Sequence, residues 1–90
     1  MKRAEVYEAI DSERDYQDTR WNSETTTSEG LHSFEEWIVY IENYLLEAKG
    51  VLSRMNKQEA DLIASDIFRK VAAMTVCALE QHGVDRREGF

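Results

Sequence analysis

The sequence predicts an all-α fold of three helices, an antiparallel helical hairpin with the N-terminal helix packed across it. Three observations carry that prediction. Proline is absent and the four glycines stand at positions 30, 50, 83 and 89, which leaves little turn chemistry for strands. Apolar residues recur at spacings of three and four over long stretches. Helix-start signals, Ser33 with Glu36 and Asn56 with Glu59, precede two of those stretches.

Helix 1 is expected over about 3–20, with Tyr7, Ile10, Arg14, Gln17 and Trp21 at helical spacing. This face is anomalous, because Arg14 and Gln17 stand where an amphipathic helix should be apolar. The other side carries Glu8, Asp11, Asp15 and Asp18, joined by Glu5. Residues 22–32, rich in Thr, Ser and Asn and containing Gly30, should leave helical geometry and form a polar elbow.

Helix 2 is expected over about 34–53, opened by a capping box at Ser33-Phe34-Glu35-Glu36. It places Phe34, Ile38, Ile41, Leu45, Ala48 and Leu52 on one face and Trp37, Tyr40, Tyr44 and Val51 on an adjoining one. One partner helix cannot cover so wide an arc. Helix 3 is expected over about 57–81, capped by Asn56 and ended by Gly83. Ile63, Ile67, Val71, Met74 and Ala78 form its main face, and the run from Val71 to Leu79 is apolar nearly all round. A chain of 90 residues can hardly supply that much burial alone, so an oligomer, a dimer or larger, is expected. Residues 84–90 read as a tail, and the whole as a single helical domain.

Eighteen acidic against 11 basic residues give a net charge of -7, which opposes a duplex nucleic acid or an anionic membrane as partner. A small anion responds instead to the local cluster of Arg14, Arg20, Arg69 and Lys70. Cys77 is the lone cysteine, which fits a reducing, cytoplasmic setting, and one Cys with two His suggests no zinc site. No apolar run is long enough to span a membrane, and no apolar stretch follows the basic start at Lys2 and Arg3.

The candidate site lies at the end of helix 1. Arginine offers a planar fork of donors for phosphate, Tyr and Trp offer faces on which a purine stacks, and Gln reads a base edge as donor and acceptor. Arg14, Tyr16, Gln17, Arg20 and Trp21 combine all of these. Thr25, Thr26, Thr27 and Ser28 add hydroxyls and amides suited to phosphate or ribose oxygens. Tyr40, Arg69 or Lys70 from a neighbouring subunit would close the pocket. The plainer readings are that Arg14 and Gln17 tie helix 1 to the elbow, that Trp21 plugs the core, and that the hydroxyls cap their own loop. His32 reads as a staple against Trp37, and His82 as a complement to the helix 3 dipole. No nucleophile set, metal-ligand set or cofactor motif is evident.

The string from Tyr7 to Trp21, the Thr25–Ser28 elbow, Glu36-Trp37 with Tyr40-Ile41, and Ala78-Leu79-Glu80-Gln81-His82-Gly83 together resemble small proteins common in tailed-phage genomes. In length, acidity and layout the chain is also similar to phage sponge proteins, of which Sequestin is an example, that sequester nucleotide signals of bacterial defence such as Thoeris and CBASS. This resemblance implies an oligomer in the host cytoplasm that binds a cyclic ADP-ribose isomer or a cyclic dinucleotide without cleaving it. Tyr40 to Ala48 and Val71 to Met74 resemble the all-α MazG-like nucleotide pyrophosphohydrolases, which imply Mg2+ held by paired acidic motifs. Asn43, Ile67, Val71 and Met74 depart from that pattern. Two alternatives to the sponge reading stay open. One is a reduced pyrophosphohydrolase with Glu8, Asp11, Asp15 and Glu42 on the metal. The other is a phage inhibitor that masks a host protein through Trp37, Tyr40 and Tyr44.

Overall fold

The computed structural model of the chain describes residues 1–21 and 31–89. These form three helices, α1 (Arg3–Arg20), α2 (Phe34–Arg54) and α3 (Lys57–His82), and no strand among the described residues. The elbow residues Thr25, Thr26, Thr27 and Ser28 lie outside the described residues.

Local chemistry sets the helix ends. At the start of α2 the Ser33 hydroxyl accepts the Glu36 amide at 3.1 Å, and the Glu36 carboxylate accepts the Ser33 amide at 3.0 Å. Two amides that no helical carbonyl could reach are thereby satisfied. The Asn56 side chain caps α3 in the same way, accepting the Glu59 amide at 3.0 Å. Gly83 ends α3 with φ of 84°, a conformation that glycine reaches without a Cβ clash. Gly50, despite its position near the end of α2, stays helical, and its carbonyl accepts from Arg54 Nε at 3.0 Å.

The Glu36 carboxyl is held below its ordinary value of 4.5, first by the Ser33 amide and then by the His32 ring. A carboxylate whose folded value is depressed stabilises the fold above its unfolded value, and that contribution is lost as pH falls through the folded one. Glu36→Gln keeps an acceptor at the cap but cannot titrate. Its urea midpoint is expected to fall less than that of the parent as pH drops from neutral to below 4.5, and equal slopes would contradict this account.

The two-residue connection Met55–Asn56 reverses the chain, so α2 and α3 lie antiparallel. Trp37, Met74, Cys77 and Ala78 form the centre of the core, with Trp21, Ile41 and Tyr44 packed against it. Ala48, Val51, Ala60 and Ile67 continue the seam toward the turn. Small residues on α3 let the helices approach closely, and no large side chain is wholly inaccessible.

α1 packs on α3 alone and makes no backbone approach to α2. Its buried residues are Glu13, Arg14 and Gln17, so this interface is ionic. Arg14 Nε donates to Glu80 at 2.7 Å, Arg69 Nε donates to Glu13 at 2.8 Å, and Gln17 Nε2 donates to the Lys70 carbonyl at 3.3 Å. Neighbouring residues of α1 thus reach α3 positions about 16 Å apart along its axis, which sets α1 across α3 rather than along it.

The structure corrects the sequence reading in one place. α2 turns its Trp37–Tyr44–Ala48–Val51 side to α3, which leaves Phe34, Ile38, Leu45 and Leu52 of the nominal main face exposed. Arg14 and Gln17 are tied to α3, while residues 22–30 of the elbow lie outside the described residues.

Candidate functional site

Where the end of α1 meets the hairpin, two adjoining cavities form a trough. The first, of about 370 Å³, is lined by Trp21, His32, Trp37, Tyr40, Asn43, Tyr44 and Met74. The second, of about 260 Å³, is lined by Glu13, Tyr16, Gln17, Arg20, Trp21, Tyr44, Lys70 and Met74. Trp21, Tyr44 and Met74 belong to both, so the aromatic half adjoins the charged half.

Stacking and hydrogen bonds hold the aromatic half in place. Trp21 and Trp37 lie 6.1 Å apart, and the His32 ring stands edge-on to both Trp37 and Tyr40 at 5.3 Å. His32 therefore does staple against Trp37, as its place before the cap suggests. The Gln81 side-chain carbonyl accepts from the Trp37 indole and from the His32 amide, each at 3.1 Å. The His82 Nε2–H donates to the His32 carbonyl at 2.7 Å, and the ring stacks on Phe34 at 4.2 Å. His82 thus fastens the chain entering α2 to the end of α3, beyond any effect on the helix dipole. Trp37 is 3% exposed and belongs to the core, so the faces open to a planar ring without first having to be ordered are those of Trp21, Tyr40 and Tyr44.

In the charged half, Gln17 is 4% exposed and its Oε1 has no hydrogen-bond partner among the described residues. Such an atom costs about 1–3 kcal/mol when left dry. A ligand N–H or O–H in the adjoining cavity would satisfy it. Arg20 lies over the Tyr16 ring at 5.9 Å and pairs with no carboxylate among the described residues. Lys70 has a long contact of 3.4 Å to Asp66. Two cations thus flank the buried acceptor.

Of the residues singled out in the sequence, Tyr16, Gln17, Arg20, Trp21, Tyr40 and Lys70 line the trough. Tyr40 and Lys70 reach it within one chain, with no neighbouring subunit needed. Arg14 and Arg69 do not line it. Arg14 is buried and bonded to Glu80 and to Asp18, at 2.6 Å for the latter. Although burial disfavours its charge, those two carboxylates outweigh that penalty and hold its affinity for the proton above the ordinary value. Arg69 pairs with Glu13 and Asp66, and the Glu13 bond in particular raises its value too. Both arginines brace α1 on α3.

His32, Trp37, Asn43 and Tyr44 line the trough without having been singled out for it. Their signal was present as the spacing Trp37, Tyr40, Tyr44, with Asn43 beside it, a stripe that mixes aromatic and amide groups on a packed helix face. Comparison with protein-family models, curated proteins and solved structures gives no match. The chemistry of this chain therefore rests on its own residues.

Burial raises the Cys77 thiol above its ordinary value, so it packs as a small hydrophobe. Among the described residues no group of three or more His, Cys, Asp or Glu is placed to hold a metal ion. Glu8, Asp11 and Asp15 sit on α1 and Glu42 on α2, two helices whose backbones make no close approach. No described helix is long and apolar enough to cross a membrane.

Proposed function

We propose that the chain binds a small nucleotide-derived ligand in the trough and holds it without breaking a bond. The carrying observation is that two cavities sharing Trp21, Tyr44 and Met74 bring aromatic rings, a buried unpartnered amide oxygen and two cations to one end of the fold. A base stacks on Trp21, Tyr40 or Tyr44, an exocyclic amine or hydroxyl reaches Gln17 Oε1, and phosphate lies toward Arg20 and Lys70. The resemblance to phage sponge proteins supplies the setting, in which capture of a cyclic ADP-ribose isomer or a cyclic dinucleotide lowers the free level of a defence signal.

The test is a titration of the protein with a panel of cyclic dinucleotides, cyclic ADP-ribose isomers and linear nucleotides, read by calorimetry and by quenching of tryptophan fluorescence. The expected result is saturable binding of a panel member, lost in Arg20→Ala with helicity unchanged, and release of an unaltered ligand on denaturation. Panel-wide absence of heat and quenching overturns the reading, as does recovery of a cleaved ligand.

A further inference from the structure

The hairpin carries an uncovered apolar face on the flank away from α1. On α2, Phe34, Ile38, Leu45 and Leu52 are 47, 59, 44 and 51% exposed. With Ile41, Ala48 and Met55 they continue a three-four alternation through the whole helix, which is the seam pattern of helices that pack side by side. On α3, Phe68 is 62% exposed. Helical register puts Phe68, Ala72 and Leu79 about a third of a turn to one side of the line Ile67–Met74–Ala78 that faces α2, and puts Ala73 and Cys77 on the side toward α1.

In an antiparallel pair, the flanks reached by turning the same way round each helix lie on the same face. The Phe34 ring stacked on His82 shows the two flanks meeting. The exposed residues of α2 and α3 therefore form one surface, larger than a scatter of single exposed side chains would give.

We infer that this face is covered by a second copy of the chain, with two hairpins closing a four-helix bundle about a two-fold axis near Leu45 and with the two α2 helices antiparallel. The surface area supports a second copy. The chain exposes 7224 Å², where a compact monomer of 10.5 kDa exposes about 5,400 Å². The surplus of about 1,800 Å² is shared between this face and the exposed residues 84–89, and it leaves room for the lower part of the 1,000–2,500 Å² or so per partner that obligate homodimers cover.

Charge selects the orientation. Glu42 and Lys49 border the seam on its outer edge and are both exposed. With Leu45 on the axis and the helices antiparallel, Glu42 of each copy comes opposite Lys49 of the other, two attractive pairs per dimer. A parallel pair would put Glu42 and Lys49 of the two copies on opposite edges of the seam and form neither pair. α1 and the trough lie on the opposite flank and stay open.

Sedimentation velocity of the full chain at micromolar concentrations tests this. The expected species has twice the chain mass of 10.5 kDa. Leu45→Glu puts a carboxylate on the axis and is expected to give monomers that keep their helicity, because Leu45 takes no part in the core of one copy. Glu42→Lys alone should weaken association about tenfold, and adding Lys49→Glu should restore it. A parent protein that sediments as a monomer overturns the inference. So does a dimer indifferent to Leu45→Glu, and a charge swap that fails to restore association overturns the antiparallel arrangement.

Discussion

Trp37→Ala is expected to remove a large share of the chain's stability. Trp37 is 3% exposed and stands at the centre of the cluster with Met74, Cys77 and Ala78. Its removal costs about 3–5 kcal/mol, from lost transfer energy and from the cavity left behind. A domain of this length holds roughly 5–13 kcal/mol in total, and the other buried residues here are mostly Ala and Val, which cannot close such a gap. Trp37→Phe keeps most of the ring and loses the indole bond to Gln81, so about 1–2 kcal/mol is expected. Urea titrations at one fixed protein concentration, which removes the contribution of association, measure both. An alanine variant with the parental midpoint would mean that the core is organised elsewhere.

Gln17→Leu is expected to separate binding from stability. Leucine fills much of the same space and removes the dry Oε1, at the cost of the bond from Nε2 to the Lys70 carbonyl. These two changes oppose each other, so the urea midpoint should move by no more than about 1 kcal/mol in either direction. Ligand affinity, by contrast, should fall by at least about tenfold, because a ligand donor would meet a methyl group in place of its acceptor. A purely structural glutamine predicts the reverse, a destabilised protein with unchanged affinity. Calorimetry and urea unfolding on the same sample tell the two apart, and the site assignment fails if affinity is kept.

The two halves of the trough differed in how much could be read in advance. Gln17 stands out because a polar group occupies an apolar register, and Tyr16, Arg20 and Trp21 stand beside it within one turn, all visible within a few residues. Arg14 shows the same conflict and meets it in part with Glu80 and Asp18, its Nη1 having no partner among the described residues, and nothing in its spacing tells a bracing arginine from a binding one. The aromatic half was harder to see. Trp37 and Tyr44 look like ordinary core residues on a helical stripe, and they become walls only because Trp21 and His32 arrive from other parts of the chain. Asn43 is legible only once Tyr40 and Tyr44 beside it are known to face a cavity.

Sequence alone determined what is decided within one or two helical turns. Ser33 with Glu36, Asn56 with Glu59, and Gly83 set where helices begin and end, because the groups that satisfy a helix terminus lie three or four residues away. The absence of proline and the three-four spacing set the all-α class in the same local way. Tertiary structure decided which of two apolar faces α2 would bury. Phe34, Ile38, Leu45 and Leu52 are as hydrophobic as the face chosen, and periodicity ranks faces by hydrophobicity alone. What favours the Trp37 side is shape and polar pairing with partners far along the chain: small alanines on α3, and a Gln81 carbonyl placed to take the indole proton. The same holds for α1, whose position across α3 rests on Arg14 with Glu80 and Arg69 with Glu13. These ion pairs join residues more than fifty positions apart, and no local pattern encodes them.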